Sequence, residues 1–123
     1  MGTKNENYSI AGIIPEYKAR KLGMKETTPI WISDYTKNHI GNKHKVELMQ
    51  RKTTAFEFVH KVVSNFNNAF RQDDGTIILT LGNNRKRMVT YIKLQISKEN
   101  FWRVKSAHVR DEKELERYQQ IYP

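Results

Sequence analysis

The chain has 123 residues, enough for one domain around one core, and 37% of them are hydrophobic. Its 22 Lys and Arg against 13 Asp and Glu give a net charge of +9, a positive potential that favours phosphate-rich ligands or anionic membranes. The absence of cysteine excludes a disulfide framework, a zinc ribbon and a thiol nucleophile.

The charge is uneven: residues 61–110 carry ten basic and three acidic residues, and 111–123 carry two and four. No apolar run approaches the roughly 20 residues of a membrane span. Met1–Ser9 lacks the apolar stretch of a signal peptide, so delivery out of a cell would need another part of a larger polypeptide. The expected division is a loose, polar residue 1–9 segment followed by a single domain over 10–123.

Tyr8 to Ile14 reads as a short strand before Pro15, and Pro15 to Leu22 as a short helix ended by Gly23. Ile30-Trp31-Ile32 is a small apolar cluster leading to Ser33, a good N-cap for a helix from about Asp34 to Ile40. Gly41-Asn42 interrupts it before a basic segment from Lys43 to Gln50. The clearest helix is 53–66. There Ala55, Phe56, Val59, Val62, Val63 and Phe66 recur at spacings of three and four, Thr53 or Thr54 can cap, and Glu57 can complete a capping box with Thr54. Such a helix should lie on a sheet and supply half of the core.

The second half reads as strands at 67–72, 76–81, 88–97 and 101–109, separated by Asp73-Asp74-Gly75, Gly82-Asn83-Asn84 and Lys98-Glu99-Asn100. In the third, Met88, Ile92, Leu94 and Ile96 share a face opposite Tyr91, Lys93 and Gln95. Asp111 would cap a short helix through Gln120. The fold class expected is therefore α+β, with N-terminal helices packed on an antiparallel meander of three or four strands and a short C-terminal helix. Strands joined by short turns cannot be parallel, which excludes a doubly wound nucleotide-binding fold.

Three clusters can carry chemistry. The first, Asn38 to Lys45, places His39, His44, Lys43 and Lys45 around a glycine break. Histidine moves protons near neutral pH, and RNA cleavage needs one group to take the 2′-OH proton, another to protonate the 5′-oxygen, and a cation for the phosphorane. As a zinc motif the pair is weak, since helical positions five apart point about 140° away from each other; two ordinary surface histidines remain the plainer alternative. The second is Phe101 to Val109. As a regular strand it puts Trp102, Val104, Ser106 and His108 on one face and Arg103 with Lys105 on the other, with Ser106 and His108 about 7 Å apart. No Asp is placed to orient the histidine, so a serine-hydrolase triad is unsupported, and a structural edge strand stays open. The third, Asn83 to Arg87, is a basic hairpin tip whose Arg85, Lys86 and Arg87 could grip phosphates. Tyr91 and Lys93 could extend that surface with a stacking ring and a charge. His60, beside the apolar stripe, reads as structural.

The segments HIGNKH, KTTAFEFVHKVVSN, TIILTLG, MVTYIKLQIS and FWRVKSAHVRDEKELERY, in that order over roughly residues 10–118, resemble the phage-associated branch of the barnase/EndoU/colicin/RelE-like ribonuclease superfamily. The resemblance implies a toxin or effector that cleaves RNA, often tRNA, in the cytoplasm of a target or host bacterium, held in check by an immunity protein or antitoxin. It makes His39 and His44 acid/base candidates and sets Arg103 and Ser106 at the scissile phosphate. Lys105 and His108 are additions not recognised as family features, and members of the superfamily differ in which residues do the chemistry.

The sequence reading is thus a metal-independent endoribonuclease without cofactor, with the oligomeric state open and a monomer favoured, leaving 2′,3′-cyclic phosphate ends. Its catalytic set is drawn from His39, His44, Arg103, Ser106 and His108, and its RNA contacts from Lys43, Lys45, Arg85, Lys86, Arg87, Tyr91, Lys93 and Lys105. The rival is a non-catalytic nucleic-acid-binding module or a phage protein that binds a host factor. A membrane-surface role is poorly supported, since no strongly basic amphipathic helix is evident.

Overall fold

The computed structural model describes residues 7–123. Its elements run β1 (Tyr8–Ile14), α1 (Glu16–Lys21), β2 (Thr28–Ser33), α2 (Asp34–Lys43), α3 (Lys45–Gln50), α4 (Ala55–Asn65), β3 (Asn68–Arg71), β4 (Ile77–Leu81), β5 (Lys86–Gln95), β6 (Phe101–Asp111), a 3-10 turn (Glu112–Leu115) and β7 (Gln119–Tyr122). All seven strands form one sheet in the order β1-β2-β6-β5-β4-β3-β7. The pairs are antiparallel except β2 with β6, which is parallel at Ile30–Trp102 and Trp31–Arg103.

This corrects the expected fold. The meander of β3 to β6 exists, but it is the middle of a seven-stranded mixed sheet rather than the whole of a three- or four-stranded one. Both of its edges carry unpaired backbone donors and acceptors, which need partners. The edge of β6 takes β2, and the edge of β3 takes β7. The helix expected over 111–120 is only the 3-10 turn, closed by a capping box between Asp111 and Glu114. One tight turn suffices to bury Leu115, after which the chain extends to pair with β3. Of the loose segment expected at 1–9, residues 1–6 lie outside the described residues, and Tyr8 and Ser9 belong to β1.

α4 is built as its sequence suggests. Thr54 Oγ1 accepts from Glu57 N at 3.1 Å and Glu57 Oε1 accepts from Thr54 N at 3.0 Å. Its buried stripe is Ala55, Phe58, Val59, Val62 and Val63, with Phe66 just beyond; Phe58 replaces the expected Phe56, which is only partly buried. The helix approaches β1 so closely that a Cβ on Gly12 would stand 2.7 Å from Val63 Cγ1. His60 Nδ1 pairs with Ala11 O at 2.7 Å and so ties α4 to β1.

The sheet therefore has two unlike faces. Ile77, Leu79, Ile92, Val104 and Ala107 join the helix-side core, whereas Ile78, Val89 and Tyr91 pack with Leu115 on the other side. The register of β5 and β6 shifts between Tyr91 and Ile92, which pair with Ser106 and Val104, so Lys105 is an extra, bulged residue. A bulge changes which residues share a face. Trp102 and Val104 consequently lie on the helix side, and Arg103, Ser106 and His108 share the other face with their partners Lys93, Tyr91 and Val89. The regular alternation expected for 101–109 fails at this one residue.

Candidate functional site

Ser33 ends β2 and caps α2 by accepting from Thr36 N at 3.1 Å. α2 thus starts where β2 stops and runs beside the part of β6 that β2 does not reach. Gly41 does not interrupt it, and it ends at Lys43 with His44 as its C-cap. In α3, Glu47 Oε1 accepts from Val109 N at 2.9 Å, closing the edge of β6 that has no neighbouring strand there. These joints bring His44 onto His108, with rings nearly parallel and centroids 5.3 Å apart.

His108 also stacks on Tyr91, whose ring lies at 5.4 Å and whose Oη lies 3.2 Å from His108 Nε2. Arg110 Nη1 donates to the same phenol oxygen, and Arg110 Nε lies 3.8 Å from Glu114. The result is a row of His44, His108, Tyr91 and Arg110, with Ser106 next along the face and Lys93 and Arg103 beyond it. Arg103 Nε donates to Gln95 Oε1 at 2.8 Å.

Burial disfavours a charge on His108, and the positive neighbours His44, Arg110 and Lys43 add to this against the opposing pull of Glu47, so its pKa falls below the ordinary histidine value. Tyr91 is pushed the other way by burial and is held as the neutral phenol. Near neutral pH the row is an uncharged imidazole and phenol flanked by an arginine. Asp74, in the turn before β4, is held below the usual carboxylate range by the Thr76 backbone N–H, with help from Lys105 and Lys93.

The sequence candidates divide on this geometry. His44, His108, Tyr91, Ser106, Arg103 and Lys93 come together on one face, with exposed Lys43 and Lys45 on either side of His44. His39 does not join them; it is exposed on α2, stacked on Tyr35 at 6.1 Å. Lys105 is the exposed bulge residue. Arg85 pairs with Asp111 at 2.9 Å, and Arg87 pairs with Glu112 at 3.0 Å and donates to Asn68 Oδ1 at 3.2 Å. With β5 starting at Lys86, these arginines brace the strand end as well as adding charge, while Lys86 is exposed. Two participants escaped the sequence reading. Arg110 could have been found by continuing the alternation two residues past His108; Glu47 carries no local signal.

Among the described residues, no group of three or more His, Asp or Glu is placed to hold a metal ion, and no helix is long and apolar enough to cross a membrane. Comparison with models of protein families, with curated proteins and with solved structures finds no match.

Proposed function

We propose that the protein is a ribonuclease that cleaves RNA by attack of the ribose 2′-OH on the adjacent phosphorus, leaving a 2′,3′-cyclic phosphate and a 5′-OH. The observation that carries the reading is the meeting of His44 and His108, from distant parts of the chain, on a cationic sheet face. The segment order resembling toxin ribonucleases supports it independently.

His108, neutral through its burial and its cationic neighbours, is the base. Arg110 donates to Tyr91 Oη; with His108 Nε2–H donating to that oxygen as well, Nδ1 keeps the lone pair that takes the 2′-OH proton. His44 in its protonated form gives a proton to the leaving 5′-oxygen. Arg110 and Lys43 supply positive charge for the phosphorane, and Ser106, about 7 Å along the strand from His108, donates to a non-bridging oxygen. Lys93 and Arg103 hold the neighbouring phosphate.

The test is incubation with total tRNA in EDTA, comparing the parent with His44→Ala, His108→Ala and His39→Ala. Cyclic-phosphate ends from the parent and from His39→Ala, with a loss of at least about 100-fold in each of the other two, are expected. Undiminished cleavage in a folded His44→Ala/His108→Ala double variant would remove both histidines from the chemistry. If no RNA is cut, the protein is a binder, and the sheet face then accounts for salt-sensitive affinity alone. The toxin role that the resemblance implies predicts growth arrest when the parent, but not the double variant, is expressed in bacteria.

A further inference from the structure

At the end of the sheet where β2 and β6 begin lies a cleft of about 540 Å³, bounded by the segment before β2 and the turn before β6. Both tryptophans of the chain, Trp31 and Trp102, line it together with Tyr8 and Phe101. Four aromatic rings and mainly apolar walls suit a flat, uncharged ring system, and the volume falls in the range of small-ligand sites. Polar and charged groups stand among them, Lys25 with the carboxylates of Glu26 and Glu99 included. Asn100 accepts from Ser97 N through Oδ1 at 3.2 Å, which directs the acceptor into the turn and leaves its amide group as the donor for a ligand.

The surroundings identify the ring system. Trp31 and Phe101 lie on the face of the sheet that carries Arg103, Lys93, Ser106 and His108, whereas Trp102 reaches the cleft from the helix side. Arg103 and His108 are four paired positions apart, about 13 Å at the usual strand rise. A path of cations thus leads from the aromatic cleft to the histidine pair. Phosphates spaced along a cationic path, with aromatic rings at its end, are the recognition pattern of single-stranded nucleic acid, in which stacked bases supply affinity and phosphates supply charge neutralisation.

We infer that this cleft is a base-binding subsite: it stacks a nucleobase of single-stranded RNA whose backbone follows Arg103 and Lys93 towards His108. The inference rests on RNA being the ligand but not on its being cut. A paired base cannot enter, so the subsite makes the protein select single strands, loops and ends.

The test uses a 2′-O-methylated oligoadenylate, which has no 2′-OH to react, alongside the same strand in a duplex and adenosine monophosphate alone. Because both tryptophans lie in the cleft, intrinsic fluorescence reports on it without a label. The single strand is expected to quench that emission and to bind more tightly than the duplex. Trp31→Leu should weaken single-strand binding about 5- to 100-fold while leaving the salt slope unchanged, because a stacking ring and no cation is lost. Trp31→Phe should recover most of the affinity. Arg103→Ala should instead lower the salt slope by about one phosphate contact. Unquenched emission with strand and mononucleotide, or a folded Trp31→Leu protein that binds the single strand like the parent, would overturn the inference and leave the cleft to a different ligand. Single-strand binding that depends on Trp31 in a protein that cuts no RNA would uphold the subsite while refuting the ribonuclease.

Discussion

The two faces of β5 and β6 are made from alternate residues of the same strands, yet they are opposites. On the helix side, Ile92, Val104 and Ala107 are sealed beneath α4. On the other, Tyr91, Ser106, His108 and Arg110 form a polar row that the 3-10 turn and Tyr118 cover only in part. The dry face is held by apolar area and close packing, which are non-directional. The polar face is held by hydrogen bonds that each need a particular partner. What keeps them apart is that Lys105, one residue too many for a regular ladder, is set aside as a bulge. Without that bulge, either Trp102 and Val104 would leave the core or Ser106 and His108 would enter it. The strand carries one residue more than its partner, and the bulge absorbs it so that both halves keep their faces.

Inserting one alanine between Ser106 and Ala107, where the pairing of β6 with β5 has no bulge to absorb it, is the strongest way to break this comparison. It forces one half of β6 onto the wrong face, and a cost above about 4 kcal/mol, or failure to fold, is expected. Urea unfolding followed by circular dichroism reads it; a parent-like midpoint would show that the register of β6 does not fix its faces.

Substitutions within each face sharpen the contrast. Phe58→Ala empties a fully buried position under the sheet and should cost about 3–5 kcal/mol. Ser106→Ala on the polar face should change stability by less than about 0.5 kcal/mol while reducing cleavage. Similar stability losses for the two would erase the distinction.

The smallest effect is a pH dependence. His108 has a folded pKa below its ordinary 6.5 because of burial, then His44, Arg110 and Lys43. The unfolded chain therefore takes up this proton first. Its contribution to stability is complete above pH 6.5 and is lost as pH falls through the lower folded value. In His108→Gln the fall in urea midpoint below pH 6.5 should be shallower than in the parent. Parallel curves for the two proteins would mean that burial does not depress this histidine.

Local patterns carried much of this molecule. The capping box of Thr54 and Glu57, the stripe of α4, and the meander with its Asp-Gly turn depend on residues a few positions apart, where propensity and hydrogen bonding are decided by neighbours. The same range made His44, Ser106, His108, Tyr91 and Lys93 visible as candidates. Strand pairing across the chain is of another kind. β7 reads as part of a helix because Leu115 and Tyr118 fit a helical spacing, and only the open edge of β3 makes Gln119–Tyr122 a strand. His39 and His44 look equivalent in sequence, and only the position of α2 against β6 sets them apart, one against Tyr35 on the surface and the other against His108.

By itself the sequence determined the basic charge, the α+β class, the long amphipathic helix and the residues able to move protons or bind phosphate, because these follow from composition and from contacts within a turn or a hairpin. Tertiary structure alone decided the seven-stranded order, the parallel pairing of β2 with β6, the exclusion of His39, the recruitment of Glu47 and Arg110, and the gathering of both tryptophans into one cleft. Each of these depends on which backbone edges and side chains meet after distant segments have packed, and no window of neighbouring residues contains that information.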